Sequence, residues 1–551
     1  MSLRDQTAVI LGGSGLVGLA VARRLLAARP KRLVLVARGE QEVREAAQAL
    51  EAVRGDAAIE MVWGDVFLPA PVARLERHAL LADPAHRALL LDDLLGDLTE
   101  QVLERSLLYQ ILTTYRPDIV VDSINTATAF AYLDVFQSAR ELLAAGRAGG
   151  ADPAAVERHL LNLPMPQLIR HMQILVEALR RAGTRAYVKI GTSGTGGMGF
   201  NIPYTHSEER PSRTLMTKSA VAGAHSLLLF LMGRTPGVPA AIEIKPTATI
   251  AWREISFGPV RRGGRPIPLV DCPEPVPLAE AFAPRTGAAP WCDLGRPLEG
   301  VFINVGENGL FAADEFETVT ALGQMEFITP EEIADYVMME LEGRPTGHDV
   351  VAALDGATAG PTYRAGILRA HALDRLHALE RDTDTRAVAY EMLGPPRLTK
   401  LLYESYVCSR LRPSVRALAQ SRPADLAAEA HALIRQDEVL RRRILSVGLP
   451  IVTPDGGGVY RGPVVVVPPA PAGSRDALAA APRGWVDLRP DALGAWVRRA
   501  GEMVAQALAR QNGASGSDVD WTAIGADEPI APARFATWVF RHEDAGERIK
   551  R

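Results

Sequence analysis

Three glycines spaced three apart, Gly12, Gly15 and Gly18 in Gly12-Gly13-Ser14-Gly15-Leu16-Val17-Gly18, form the pattern in this chain that most directly implies chemistry. They follow a continuous apolar run, Thr7–Leu11, and precede a helical pattern from Leu19 to Ala28. In a strand, turn and helix of this kind the first glycine permits the tight turn and the second lets backbone approach a pyrophosphate. The third lets the helix pack on the strand, and the phosphates sit at the helix N-terminus. Gly12, Ser14, Gly15, Leu16, Val17 and Gly18 are therefore the expected dinucleotide-binding loop. A second apolar run, Arg32–Ala37, leads into Arg38. A carboxylate there would bind the ribose hydroxyls and repel a 2′-phosphate, whereas a guanidinium attracts it. The reading favours NADP(H), and Glu40 nearby leaves NAD(H) open. Asp65 and Val66 follow a third run, Ile59–Trp63, and stand where they could meet the adenine edge. The alternative for Asp65 is a helix cap.

The elements that must hold these residues are read from periodicity. Apolar runs alternate with helical stretches as β-α-β-α-β, and the alternation resumes with Asp118–Asp122, a helix over about Met165–Ala182, Ala186–Ile190, a helix around Lys218–Met232, and Ala241–Ile244. This order predicts an α/β fold, a Rossmann-type doubly wound parallel sheet with right-handed crossovers, over residues 1–250. Between the third and fourth strands, about 67–117 carries helical periodicity and is too long for an ordinary connection, so it is expected to be a helical insertion. Proline and glycine increase over 251–345, read as a smaller substrate-side lobe with a helix at Pro330–Leu341. Residues 346–551 read as a mainly helical C-terminal extension of unknown role. It carries a hairpin signal at Pro454-Asp455-Gly456-Gly457-Gly458 and a last amphipathic helix over about Pro490–Leu508. The turn Gly484–Pro490 reads as structural.

On these residues the first 250 positions resemble the short-chain dehydrogenase/reductase family, with GxxGxxG pointing to its extended, epimerase-like branch and the region to about 345 resembling it more loosely. The resemblance implies backbone from the fourth strand, Asp122-Ser123-Ile124-Asn125, over the cofactor. It also implies a hydroxyl after the fifth strand, matched by Thr192 or Ser193, and a Tyr-x-x-x-Lys pair on the next helix. Lys218 falls where the family's lysine belongs, but four residues earlier stands Thr214 in place of tyrosine. In the family that phenol exchanges a proton with the substrate oxygen while hydride moves. Tyr204, in Asn201–Glu209, is the expected replacement, and His206 is the second candidate because imidazole titrates near neutrality. Lys218 is expected both to hold the cofactor ribose and to adjust local charge. Lys245-Pro246-Thr247 resembles the turn that meets the carboxamide end of the cofactor in the extended branch. Gly194–Gly199 formally matches GxGxxG, but Phe200-Asn201-Ile202-Pro203 cannot open the helix that this fingerprint requires, so a loop beside the nicotinamide is expected.

Composition narrows the function classes. The 551 residues carry 61 basic and 65 acidic side chains, a net charge of -4, which offers no general attraction for a phosphate backbone. The three cysteines, Cys272, Cys292 and Cys408, lack metal-ligand spacing and fit a reducing compartment. No signal peptide is expected, and Ser226–Met232, the longest strongly apolar stretch, is far below the ~18 residues needed to span a bilayer. The expectation is a cytoplasmic protein acting on a small-molecule substrate, with no metal, no nucleic acid and no membrane span, and with a homodimer left open. Three activities fit: an NADP(H)-dependent oxidoreductase working between a carbonyl and an alcohol, an epimerase or dehydratase with tightly held cofactor, and a cofactor-binding protein without turnover.

Overall fold

The computed structural model describes residues 3–147, 150, 152–191, 213–246, 250–283, 289–306, 309–320, 328–344, 357–359, 363–392, 396–469, 477–511 and 523–543. By their contacts these residues form two units. One comprises the described residues up to 251 together with 328–366, and the other comprises 252–320 and those from 367 onward.

In the first unit the elements run β1 (Thr7–Leu11), α1 (Leu16–Ala27), β2 (Arg32–Ala37), α2 (Glu40–Leu50), β3 (Ala58–Trp63), α3 (Arg77–Ala82), α4 (Pro84–Leu95), α5 (Glu100–Arg105) and α6 (Leu107–Tyr115). They continue as β4 (Ile119–Asp122), α7 (Thr126–Ala131), α8 (Val135–Arg147), α9 (Pro153–Leu160), α10 (Pro164–Ala182), β5 (Ala186–Ile190), α11 (Arg213–Arg234) and β6 (Ala240–Pro246). The strands pair in the order β3-β2-β1-β4-β5-β6, and a seventh, Ala357–Ala359, adds to β6. Every pairing is parallel. This is a doubly wound Rossmann-type sheet, as expected, with the strand order reversing between β1 and β4.

Alternation along each strand builds two layers. Ala8, Ile10, Leu33, Leu35, Val121, Val188 and Ile244 face Val21 and Leu25 of α1 and Val43 of α2. Ile333, Val337 and Leu341 of the helix Pro330–Glu342 complete that layer. Val9, Leu11, Val34, Val36, Val120 and Tyr187 face α6, α10 and α11 through Leu108, Leu112, Leu168, Leu175, Val221 and Leu229. Because both faces are covered, the strands read as continuous apolar runs. The insertion forms four helices, α3 to α6, and local chemistry sets their starts. Asp83 accepts from Ala85 N and His86 N ahead of Pro84, and Ser106 Oγ accepts from Tyr109 N. Helix α10 opens on Pro164 and stops at Gly183, whose φ is 75°.

The second unit is mainly helical. It has long helices at Pro396–Leu411, Pro423–Gln436 and Pro490–Gln511 and a three-stranded antiparallel sheet of Glu254–Pro259, Glu299–Asn304 and Leu310–Phe311. The expected hairpin is present, with Ile451 opposite Tyr460 and Val452 opposite Val459. Trp485, in the expected turn, is fully buried, donates its Nε1–H to Val467 O at 2.7 Å and stacks on Phe282. Among the described residues no helix is long and apolar enough to cross a membrane, and no group of three or more His, Cys, Asp or Glu could hold a metal ion.

Candidate functional site

The glycine loop turns as its sequence requires. Gly12 has φ 79°, and the amides of Gly12 and Gly13 both donate to Val36 O at 2.9 Å, tying the loop to β2. A Cβ on Gly18 would lie 2.3 Å from Gly12 O, and one on Gly12 would lie 2.8 Å from Ser123 Oγ, so neither position admits a side chain. Gly15 caps α1 with no side-chain hydrogen bond, which leaves the first-turn amides of Leu16, Val17 and Gly18 without intrahelical partners. A helix N-terminus behind a glycine-rich turn, at the sheet's switch point, is suited to a dinucleotide pyrophosphate.

Arg38 follows β2 and is exposed, and no salt bridge or hydrogen bond of the described residues engages its guanidinium. Asp65 follows β3 at Gly64; its Oδ1 accepts from Phe67 N at 3.0 Å, so the carboxylate closes a turn and does not cap a helix. Burial raises its pKa, against the pull of that hydrogen bond and the charges of Arg38 and Arg77. Val66 is buried. Asn125 caps α7, its Oδ1 accepting from Thr128 N at 3.2 Å and its backbone oxygen from Ala129 N at 3.0 Å. Pro246 closes β6 and is buried. Thr192, Ser193, Tyr204, His206, Thr247 and the loop Gly194–Gly199 lie outside the described residues.

Lys218 is on α11 and is 3% exposed, on one buried face with Val221, Ala222, His225, Ser226 and Leu229. The crossover from β5 to the parallel β6 runs α11 back along the sheet, so its N-terminal turns lie at the strands' C-terminal edge. Eight residues at ~1.5 Å put Lys218 roughly 12 Å beyond Ser226 toward that edge. It therefore stands level with the C-terminal ends of β4 and β5. Thr214, one turn earlier, is half-buried.

The sequence reading missed a set of charged residues directly beneath this edge. Asp122, Lys189 and Glu243 are neighbours across β4, β5 and β6, in register and on the face that meets α10 and α11. Lys189 Nζ lies 2.9 Å from Asp122 Oδ1 and donates to Ile124 O at 2.5 Å and Thr126 Oγ1 at 3.2 Å, using all three of its protons. Asp122 also accepts from Ile124 N at 2.9 Å and from the hydroxyl of Tyr187 at 2.8 Å. Its carboxyl is held below the usual range: burial opposes ionisation, but Lys189 and Tyr187 outweigh it. Glu243 accepts from Ser226 Oγ at 3.0 Å and pairs with Lys245 Nζ at 2.9 Å. His171 of α10 and His225 of α11 are buried beside this group, with ring centroids 6.4 Å apart. Burial pushes their pKa values down to about 4 and about 3, so both are neutral at pH 7. The clue was present in the sequence. A charged residue ending a strand that is apolar on both faces must find buried partners. What Lys189 does is mechanical: it fastens β5 to the segment Ile124–Thr126, which carries Asn125.

Comparison with known proteins adds a family. Residues 269–544 match the β-methylindole-3-pyruvate reductase C-terminal domain. No curated protein sequence matches the chain. Similar solved structures include Pen from Bacillus thuringiensis, 12% identical over 46% of this chain and 54% of that one, with a TM-score of 0.27. This chain thus spans about half the length of that structure. An alcohol dehydrogenase from the archaeon Thermococcus sibiricus, complexed with 5-hydroxy-NADP, is 15% identical over 65% of this chain and 97% of that one, with a TM-score of 0.29. A short-chain dehydrogenase from Sphingobium yanoikuyae in complex with NADPH is 20% identical over 44% of this chain and 72% of that one, with a TM-score of 0.23. At these scores the likenesses carry no weight of their own, and the fold stands on strand order and register.

Proposed function

The chain belongs to the β-methylindole-3-pyruvate reductase C-terminal domain family, and from that premise we propose that it is an NADP(H)-dependent reductase of a 2-oxo acid on an aromatic scaffold. The observation that supports the cofactor choice is the glycine-rich turn at α1 beside the exposed guanidinium of Arg38, which no described residue engages. The family name carries the substrate class. We assign substrate selection to residues 251–345 and leave the extension 346–551 without a catalytic role of its own. The reaction is placed in the cytosol, on a small molecule.

The amides of Leu16, Val17 and Gly18 would bind the pyrophosphate, Arg38 the 2′-phosphate, and Asp65 and Val66 the adenine edge. Asn125, Pro246 and Thr247 would hold the nicotinamide end, and Lys218 its ribose. The nicotinamide, when bound, supplies or accepts hydride. Thr192 and Ser193 orient the substrate oxygen by hydrogen bonding. In the reducing direction, as hydride reaches the carbonyl carbon, Tyr204 gives its proton to the oxygen and is reprotonated from solvent. The ammonium of Lys218 stabilises the phenolate while it lasts.

The test is consumption of NADPH against NADH with indole-3-pyruvate, followed by absorbance of the reduced nicotinamide. Arg38→Ala is expected to raise KM for NADPH at least tenfold and to leave that for NADH within about twofold, the loss of one phosphate ion pair. Tyr204→Phe is expected to lower kcat by about 10²-fold or more with little change in cofactor KM. Activity that survives both Tyr204→Phe and Lys218→Ala would overturn the assignment of catalytic roles. Turnover with no net change in reduced cofactor would point to the epimerase or dehydratase reading.

A further inference from the structure

Beneath the helical insertion lies a cavity of about 70 Å³, walled by residues of the first unit. Of the expected cofactor residues it touches Val66 alone, so it adjoins the expected adenine end of the dinucleotide site without including the glycine loop. Its walls are mostly apolar, with Phe67 and Phe130 among them, and its polar side chains include Arg77, Asp93, Arg170 and His171. Asp93 is already matched by Arg105, whose Nε lies 2.7 Å from Oδ1. Among the described residues the guanidiniums of Arg77 and Arg170 make no salt bridge. Arg77 Nη2 donates to Leu161 O at 3.1 Å and to Asn162 Oδ1 at 2.8 Å. Arg170 Nη2 donates to Gly96 O, while its Nε and Nη1 are buried with no partner among the described residues. Nε2 of His171, a residue 6% exposed, is likewise buried with no partner.

Buried N–H groups left unmet cost about 1–3 kcal/mol each, more when charged. Burial depresses the pKa of Arg77 against the charge of Asp65, and that of Arg170 against the charges of Asp93 and Asp97. Among the described residues the cavity therefore presents unmet polar groups on Arg170 and His171 beside an apolar space. Two waters would fill its volume at ~30 Å³ each, but water gains little against aromatic rings. An occupant with an anionic end and a short apolar body would satisfy both parts.

We propose that this cavity is a second binding site, for a short-chain carboxylic acid bound as its anion. The carboxylate takes hydrogen bonds from Arg170 and from His171 in its Nε2–H tautomer, and the chain lies against Phe67 and Phe130. The volume suits about four or five heavy atoms. The inference does not depend on the reductase reading.

Propionate and its uncharged isostere propionamide are titrated calorimetrically into the full-length protein saturated with NADPH, so that the cofactor site is filled. Propionate is expected to bind at one molecule per chain in the millimolar range, and propionamide at least tenfold more weakly. Arg170→Met and the cavity-filling Leu90→Phe are each expected to weaken propionate at least tenfold, with NADPH affinity within twofold of the unaltered chain. Equal binding of the two probes would overturn the proposal, as would an absence of propionate heat. Unchanged affinity in Arg170→Met and Leu90→Phe would place the propionate elsewhere in the protein. Displacement of propionate by equimolar inorganic phosphate would also overturn it, because the apolar walls would then contribute nothing. If Arg170→Met fails to fold, Leu90→Phe and the comparison of probes on the unaltered chain decide.

Discussion

Lys189 shows how one buried charge can serve stability and function at once. Its ammonium is 2% exposed, and every proton on it is used, so removing it strands Asp122 as a buried carboxylate with only Tyr187 and an amide for company. Lys189→Met is expected to destabilise the first unit by about 3–5 kcal/mol, measured by urea denaturation. The double variant Asp122→Leu/Lys189→Met leaves no unpaired charge and should recover most of that loss. Even so, the tie to Ile124 O and Thr126 Oγ1 is gone in the double variant, so cofactor KM should still rise several-fold. Full recovery of both stability and KM would reduce the pair to a packing role. The neighbouring histidines set a pH dependence of definite sign. Free imidazole titrates at 6.5, whereas His171 and His225 are held near 4 and 3 in the fold. Between those values the unfolded chain binds protons that the folded chain refuses, so stability is full above about pH 6.5 and declines as pH falls toward 4. At about pH 5 each histidine accounts for about 1–2 kcal/mol of that decline. Substituting His171→Phe and His225→Leu should flatten unfolding free energy against pH over this window. An unchanged slope would assign the acid sensitivity to other groups.

At the scale of elements, the strand–turn–helix unit of β1 and α1 is set by backbone contact. The nearest atom to a Cβ on Gly18 is a carbonyl oxygen, Gly12 O at 2.3 Å, which cannot move without breaking the turn, whereas the same atom is 3.4 Å from a Cβ on Gly15. Gly18→Val is therefore expected to abolish NADPH binding, and Gly15→Ala to weaken it only modestly, as read by quenching of protein fluorescence. This contrast was legible in the residues, because GxxGxxG assigns helix packing to its third glycine. The strands were legible for a related reason: a core strand of a doubly covered sheet has apolar side chains on both faces, so Thr7–Leu11 and Arg32–Ala37 stand out with the bounds the structure gives them. The insertion was legible as helical from its periodicity, but its division into four helices rests on caps such as Asp83 and Ser106. The partnership of Asp122, Lys189 and Glu243 was not legible. Each belongs to a different strand, and only the register of β4, β5 and β6 makes them neighbours. Arg38 and Lys218 could be placed because their positions follow from strand and helix ends. The residues paired beneath Lys218 follow from tertiary packing, which no local pattern reports.

For the whole molecule, the path of the chain constrains how it can be divided. Composition suggests boundaries near 250 and 345, where proline and glycine become frequent and where helical periodicity resumes. Contacts run otherwise: after leaving the first unit at 251 the chain returns to it, and the helix Pro330–Glu342 packs on α1. Ile333, Val337 and Leu341 of that helix are buried in the layer shared with α1 and α2. The exposed pair of Arg24 and Asp335 adds little beside them. Burial of three such side chains contributes about 1.5–3 kcal/mol each, a sum comparable to the ~5–15 kcal/mol that a whole domain has in reserve. The second unit is interrupted in the same way, since Tyr390 donates its hydroxyl proton to Val301 O at 2.7 Å and so joins its two sequence segments. A cut at 250 therefore strips the first unit of one core layer's cover, and a cut at 345 separates the halves of the second. Fragments 1–250 and 346–551 are each expected to show helical far-ultraviolet circular dichroism without a cooperative thermal transition, and to bind a hydrophobic dye that the full chain does not. A sharp melting transition in the 1–250 fragment at the temperature of the full chain would mean that the helix Pro330–Glu342 is dispensable to the sheet it covers.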